Sequence, residues 1–202
     1  MDQYMKIVAM AYLHDTVGEV VRQLFEEKRS CEMDPTRGGK PAEGIKVLSF
    51  HIEAICKAIY DSVDRCPAPL RDVFQNLQRA VVARFPGEEN VRYTAVSAFI
   101  FLRLFCPAII NPKLFNMMPD HPTDLTARNL MLVAKSIQNL ANMTEFGAKE
   151  SFMIPVNGLL TQLRGGMVKY LDTISVSFRF WARRCVREEK RLSACVRSTR
   201  VQ

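Results

Sequence analysis

The chemistry in this sequence centres on one arginine. Arg103 stands in Phe101-Leu-Arg-Leu-Phe-Cys-Pro-Ala-Ile-Ile-Asn-Pro112, within a stretch from Ala95 to Cys106 whose other positions, Ser97 apart, are nearly all apolar. A guanidinium is costly to bury there unless it is paired and hydrogen-bonded. Either it is held with fixed partners beneath a binding surface, or it reaches the surface and braces neighbouring carbonyls. Other constellations say less. His14, His51 and His121 are the three histidines. His51-Ile-Glu53 has the H-x-E shape of a zinc deaminase, but no P-C-x-x-C follows. His51 is therefore expected on a helix flank, and no metal site is expected. Gly38-Gly39-Lys40 lacks the spacing of a phosphate loop, and Pro41 stands where its hydroxyl belongs. There is no G-x-S-x-G, and Glu26-Glu27 and Glu88-Glu89 fall in hydrophilic turns. A self-contained hydrolase or oxidoreductase has little support, and no cofactor is expected.

The elements that position these residues read as helices throughout. Asp2 to Lys28 carries Val17, Val20, Val21 and Leu24 at helical spacing. A loop rich in Gly and Pro, Ser30 to Pro41, follows. Ile45, Leu48, Ile52, Ile55 and Ile59 form the stripe of a helix from about Glu43 to Val63. Leu70, Val73, Phe74, Leu77 and Val81 form that of the next, ended by Phe85-Pro-Gly. Val91 to Cys106 is apolar almost all round, as a central helix is, and Pro107 and Pro112 are expected to end it and shape a turn. Thr123 is placed to cap a helix with Leu130, Val133, Ile137 and Leu140 inward. Phe146 to Leu163 and Met167 to Ile174 complete the series, with an expected break at Gly165-Gly166. No run alternates like a half-buried strand, so the expected fold is all-α, a multi-helix bundle.

Composition agrees with a globular domain. The 202 residues are 48% hydrophobic and 24% charged, which excludes whole-chain disorder and collagen. No uninterrupted apolar run approaches the length of a membrane span. Ile7 to Leu13 is flanked by Asp2 and Asp15 with no small-residue cleavage site, and reads as helix rather than signal peptide. The six scattered cysteines suggest reduced thiols and a cytoplasmic setting. The net charge of +7 is concentrated at one end: Val176 to Gln202 holds seven Arg, one Lys and two Glu. Such a segment can contact acidic membrane or nucleic acid.

The Phe101–Pro112 stretch resembles the signature of the Ras GTPase-activating proteins, F-L-R-x-x-x-P-A-I-x-x-P. The resemblance continues through Lys113-Leu-Phe-Asn, Ala127-Arg-Asn-Leu, Leu132-Val-Ala-Lys-Ser-Ile-Gln-Asn-Leu-Ala-Asn142 and Glu145-Phe-Gly-Ala-Lys-Glu150. It covers roughly residues 1–175, densest from 96 to 153, and is nearest to the founding animal member, whose chain carries Src-homology domains. It implies an all-helical domain with a shallow groove for GTP-bound Ras, which stimulates the GTPase of Ras without being an enzyme that hydrolyses GTP itself. Such a domain steadies the water-orienting glutamine of Ras and inserts an arginine finger. By the same resemblance Arg103 matches the second arginine, which supports the finger loop. Leu102 matches a leucine that packs on the switch region, Asn142 and Lys149 match groove residues, and Glu150 matches an acid that holds Lys149 in place. Against this, Leu102 reads equally as core, Asn139 and Asn142 as partners of backbone groups, and Lys135 and Lys149 as solvated.

Two departures bear on function. The family's finger lies just upstream of the segment matching Met1 to Lys6, and no residue here matches it. The expectation is a domain at 1–175 lacking the finger-bearing segment, with a basic non-family tail at 176–202. Two further readings stand beside the GTPase activator: a Ras-binding module impaired in stimulation, and a basic-tailed lipid or nucleic-acid adaptor. No nucleic acid is expected as partner. A weak contact of the tail with acidic membrane fits recruitment to the inner face of the plasma membrane.

Overall fold

The computed structural model describes residues 2–176; the basic tail from residue 177 onward lies outside the described residues. Among the described residues there are seven α-helices and several short helical turns, and no strand. They are α1 (Asp2–Glu26), α2 (Pro41–Tyr60), α3 (Ala68–Arg84), α4 (Glu89–Ile100), α5 (Cys106–Ile110), α6 (Asp124–Ala141) and α7 (Asn157–Ile174). The apolar stripes decide the packing. Leu48, Ile52, Ile55 and Ile59 seat α2 against α1, α6 and α7. Leu130, Val133, Ile137 and Leu140 are all buried along α6, and the Thr123 side chain accepts the Thr126 N–H at its start. Where α1, α2 and α7 meet, the Tyr12 hydroxyl bonds Ser62 Oγ at 2.7 Å and the Tyr170 hydroxyl at 3.0 Å.

The helix from Asn90 to Ile110 has a mean hydropathy of 1.8, enough by length and composition to cross a membrane. Its apolarity is explained by the core, since it packs against α1, α3, α6 and α7. It is not uniform. Between α4 and α5 it opens into a π-turn over Phe101–Phe105, where the Cys106 N–H bonds back five residues to the Phe101 carbonyl. Pro107 explains the opening: it has no N–H, and in a regular turn its ring would press on the carbonyl four residues back, that of Arg103. Pro107 thus widens the helix rather than ending it, contrary to expectation, while Pro112 opens the short turn Pro112–Phe115.

The expected break at Gly165-Gly166 is also absent, because α7 runs through both glycines. A Cβ on Gly166 would lie 2.5 Å from Cε2 of Tyr60, whereas one on Gly165 meets nothing within 4 Å. Gly166 lets a ring approach the helix, and the Tyr60 hydroxyl completes the contact by donating to Leu163 O at 3.0 Å.

Candidate functional site

The periodicity of the helix determines what the residues of the wide turn do. Phe101, Leu104 and Phe105 are fully buried, while the two residues between them, Leu102 and Arg103, both face solvent. Arg103 is thus not the buried charge that its apolar neighbours suggested. Its Nη1 donates to Ala98 O at 2.9 Å, and its guanidinium lies 4.7 Å from the centre of the Phe99 ring. Those contacts hold the cation along its own helix, the carbonyl-bracing alternative, on an outward face that Thr94, Ala95, Ala98 and Phe99 already mark along α4. Leu102, 39% exposed, is not core.

The other candidates lie on the segment between α6 and α7, a loop tied down at several points. Asn142 ends α6, and its Oδ1 accepts from the buried Ser97 hydroxyl of α4 at 2.8 Å. This bond brings the end of α6 against α4, just before the π-turn. Arg164 Nη2 donates to Met143 O at 2.9 Å, and the Thr144 N–H bonds Asn139 O at 2.9 Å. The Asn157 amide pairs with both the N–H and the carbonyl of Phe146, at 2.9 and 3.0 Å. A helical turn, Ala148–Val156, follows and carries an exposed Lys149. Glu150 does not hold Lys149 as expected. Its carboxylate pairs with Lys135 of α6, fifteen residues away, and so ties this turn back to the helix.

Sequence reasoning missed the arginine that is buried. Arg71, in the first turns of α3, is 0% exposed and donates to the carbonyls of Val63, Cys66 (3.2 Å) and Thr173 (3.0 Å). Its neighbours Leu70 and Asp72 gave little sign of this; the only hint was its place one residue after the buried Leu70. Two motif residues, Arg128 and Asn129, are also structural. Asn129 accepts the Cys31 N–H at 2.8 Å and donates to Arg29 O at 2.9 Å, and Arg128 Nε meets Glu32 at 2.6 Å.

The chemistry considered for the other residues finds no support in their surroundings. His51 is buried, with Nε2 donating to Glu27 at 3.3 Å, while Glu53 faces solvent on another side of α2. Among the described residues no three His, Cys, Asp or Glu gather to hold a metal. Burial pushes the thiols of Cys31, Cys56, Cys66 and Cys106 up to about 12, so none is a ready nucleophile. Gly38 adopts φ 73° and the Gly39 N–H bonds Asp34 O at 2.9 Å, so the glycine pair shapes a turn.

The model of a family described as GTPase-activator protein for Ras-like GTPase matches residues 42–142, a span that holds the π-turn and α6. The chain belongs to this Ras GTPase-activator family. It is 46% identical over 178 residues to a probable Ras GTPase-activating-like protein ngap of Dictyostelium discoideum, covering 86% of this chain and 20% of that protein. It is 38% identical over 178 residues to Ras GTPase-activating protein 1 of Homo sapiens, covering 86% and 17%. The chain thus spans about a fifth of the length of these relatives. The family match also covers Arg71, Arg128 and Asn129, whose contacts are internal, so it includes scaffold as well as surface.

Proposed function

We propose that this chain forms the groove by which a GTPase activator receives a Ras-type GTPase in its GTP-bound form, stimulating GTP hydrolysis and so switching Ras signalling off. The observation that carries the reading is the exposed Leu102–Arg103 pair beside the anchored Asn142–Glu150 segment. Leu102 offers an apolar contact, Asn142 an amide, and Lys149 a cation, on a frame that needs no rearrangement to present them. Arg103 acts as a support for a finger loop. The chain is then an activator whose partner performs the hydrolysis, in the cytoplasm or at the inner face of the plasma membrane.

For Ras and its activators as a class, an arginine finger contributes about 10³ to 10⁵ in rate. The groove and the finger are separable contributions, so stimulation by the groove residues alone is expected to fall far below that range. Single-turnover GTP hydrolysis by Ras is the test, run with this chain and with the chain joined to a finger-bearing segment of a relative. Modest stimulation that the joined segment raises strongly, and that Leu102→Asp abolishes, supports the reading. Intrinsic rates in both, with no complex formed, overturn it.

A further inference from the structure

Ser97 is wholly buried in α4, and its hydroxyl does not turn back on its own helix as those of two other buried serines do. Ser136 and Ser175 each donate to the carbonyl four residues back, Leu132 and Leu171. The Ser97 hydroxyl instead crosses to another helix and donates to Asn142 Oδ1 at 2.8 Å. We propose that Ser97 is a positioning residue that holds the Asn142 side chain in place at the groove. The inference rests on the reading of Asn142 as a residue that meets the GTPase.

An asparagine amide has an acceptor end and a donor end, nearly alike in size and opposite in hydrogen-bonding sense. The backbone under Asn142 is already fixed. Its N–H bonds Gln138 O at 3.0 Å, the Met143 N–H bonds Leu140 O at 3.1 Å, and Arg164 holds Met143 O. What remains is rotation of the side chain. Ser97 restrains that rotation by bonding the amide from within the buried side of α4. The amide is thereby presented to the GTPase in one place rather than swinging between rotamers. Without Ser97 the side chain turns freely, and it meets its partner in the GTPase only part of the time.

The test is a double-mutant cycle in the full chain, with Ser97→Ala, Asn142→Ala and the pair. The probe is Ras loaded with a non-hydrolysable GTP analogue, and the readout is affinity. Ser97→Ala is expected to weaken binding about three- to tenfold, the effect of one ordinary hydrogen bond. In the Asn142→Ala background the same change is expected to have almost no effect. Equal losses in both backgrounds would show that Ser97 acts through the fold, and would overturn the proposal. A second arm needs no Ras: the Asn142 side-chain amide, followed by NMR in the free chain, is expected to be rigid in the wild type and mobile in Ser97→Ala. An amide unchanged by the substitution would also overturn the proposal. If wild-type chain fails to bind Ras, the groove reading fails, and the NMR arm still decides the role of Ser97.

Discussion

Two arginines, each beside large apolar residues, end in opposite environments. Arg71 starts α3 beside Leu70 and Phe74, and the fold closes over it completely. Arg103 sits between Leu102 and Leu104 in the most apolar stretch of the chain, and it is exposed. The difference is geometric. At Arg71 two stretches of chain converge with carbonyls turned inward, at Val63 and Cys66 in one turn and at Thr173 in α7, and the guanidinium satisfies them. At Arg103 the side chain lies on the outward face of its helix, where Ala98 O and the Phe99 ring face meet it. Apolar neighbours alone therefore do not place an arginine; the carbonyls that need a donor do.

The largest effect expected from this comparison is on stability at Arg71. Arg71→Ala leaves buried carbonyls unpaired and is expected to cost roughly 3 kcal/mol or more in chemical denaturation. Arg71→Lys should recover only part, since an ammonium lacks the planar fork. Arg103→Ala is expected to cost about 1 kcal/mol or less, while lowering stimulation of Ras more than affinity in a finger-bearing chain. If Arg103→Ala proved the more destabilising of the two, the comparison would be reversed.

The adjacent glycines pose the same question at smaller scale. Gly166→Ala drives a methyl into the Tyr60 ring and is expected to cost about 1–3 kcal/mol. Gly165→Ala, in open space on the same helix, is expected to stabilise by about 0.5–1 kcal/mol. Thermal unfolding of the two variants distinguishes a packing glycine from a helix break; matching losses at both would argue for a break.

The smallest effect is pH dependence at the α1–α2 junction. The Arg29 side chain bonded to Glu27 holds that carboxyl down at about 2, and burial lowers His51 below its ordinary value. Both groups bind protons more readily when unfolded, so both make the fold less stable as pH falls. His51 begins to act near pH 6.5, and Glu27 acts from its ordinary range near 4.5 down to about 2. His51→Gln is expected to flatten the first part of the acid limb of stability against pH. An unchanged slope between pH 6.5 and 5 would remove His51 from this account.

Much of the fold is legible in the sequence, and for stated reasons. The stripes of α2 and α6 and the Thr123 cap follow from helical periodicity and one side chain's reach, both local properties. What was not legible depended on distant chain. Nothing near Gly166 reveals that Tyr60 packs on it, and nothing near Glu150 reveals that Lys135 lies across from it. The candidate site was legible as a set of residues through family resemblance, but not as a surface. Leu102 and Arg103 continue the outward face of Thr94, Ala95, Ala98 and Phe99, which a stretch of almost uniformly apolar residues does not reveal.

The central claim is that the π-turn and the anchored loop after α6 together receive GTP-bound Ras. Backbone amide shifts of this chain, followed while Ras carrying a non-hydrolysable GTP analogue is added, test it directly. The account predicts changes concentrated at Leu102, Arg103, Asn142 and Lys149, with Arg71 and Asn129 nearly silent, and much weaker changes with GDP-loaded Ras. Changes centred elsewhere on the molecule, or equal responses to the two nucleotide states, would contradict it.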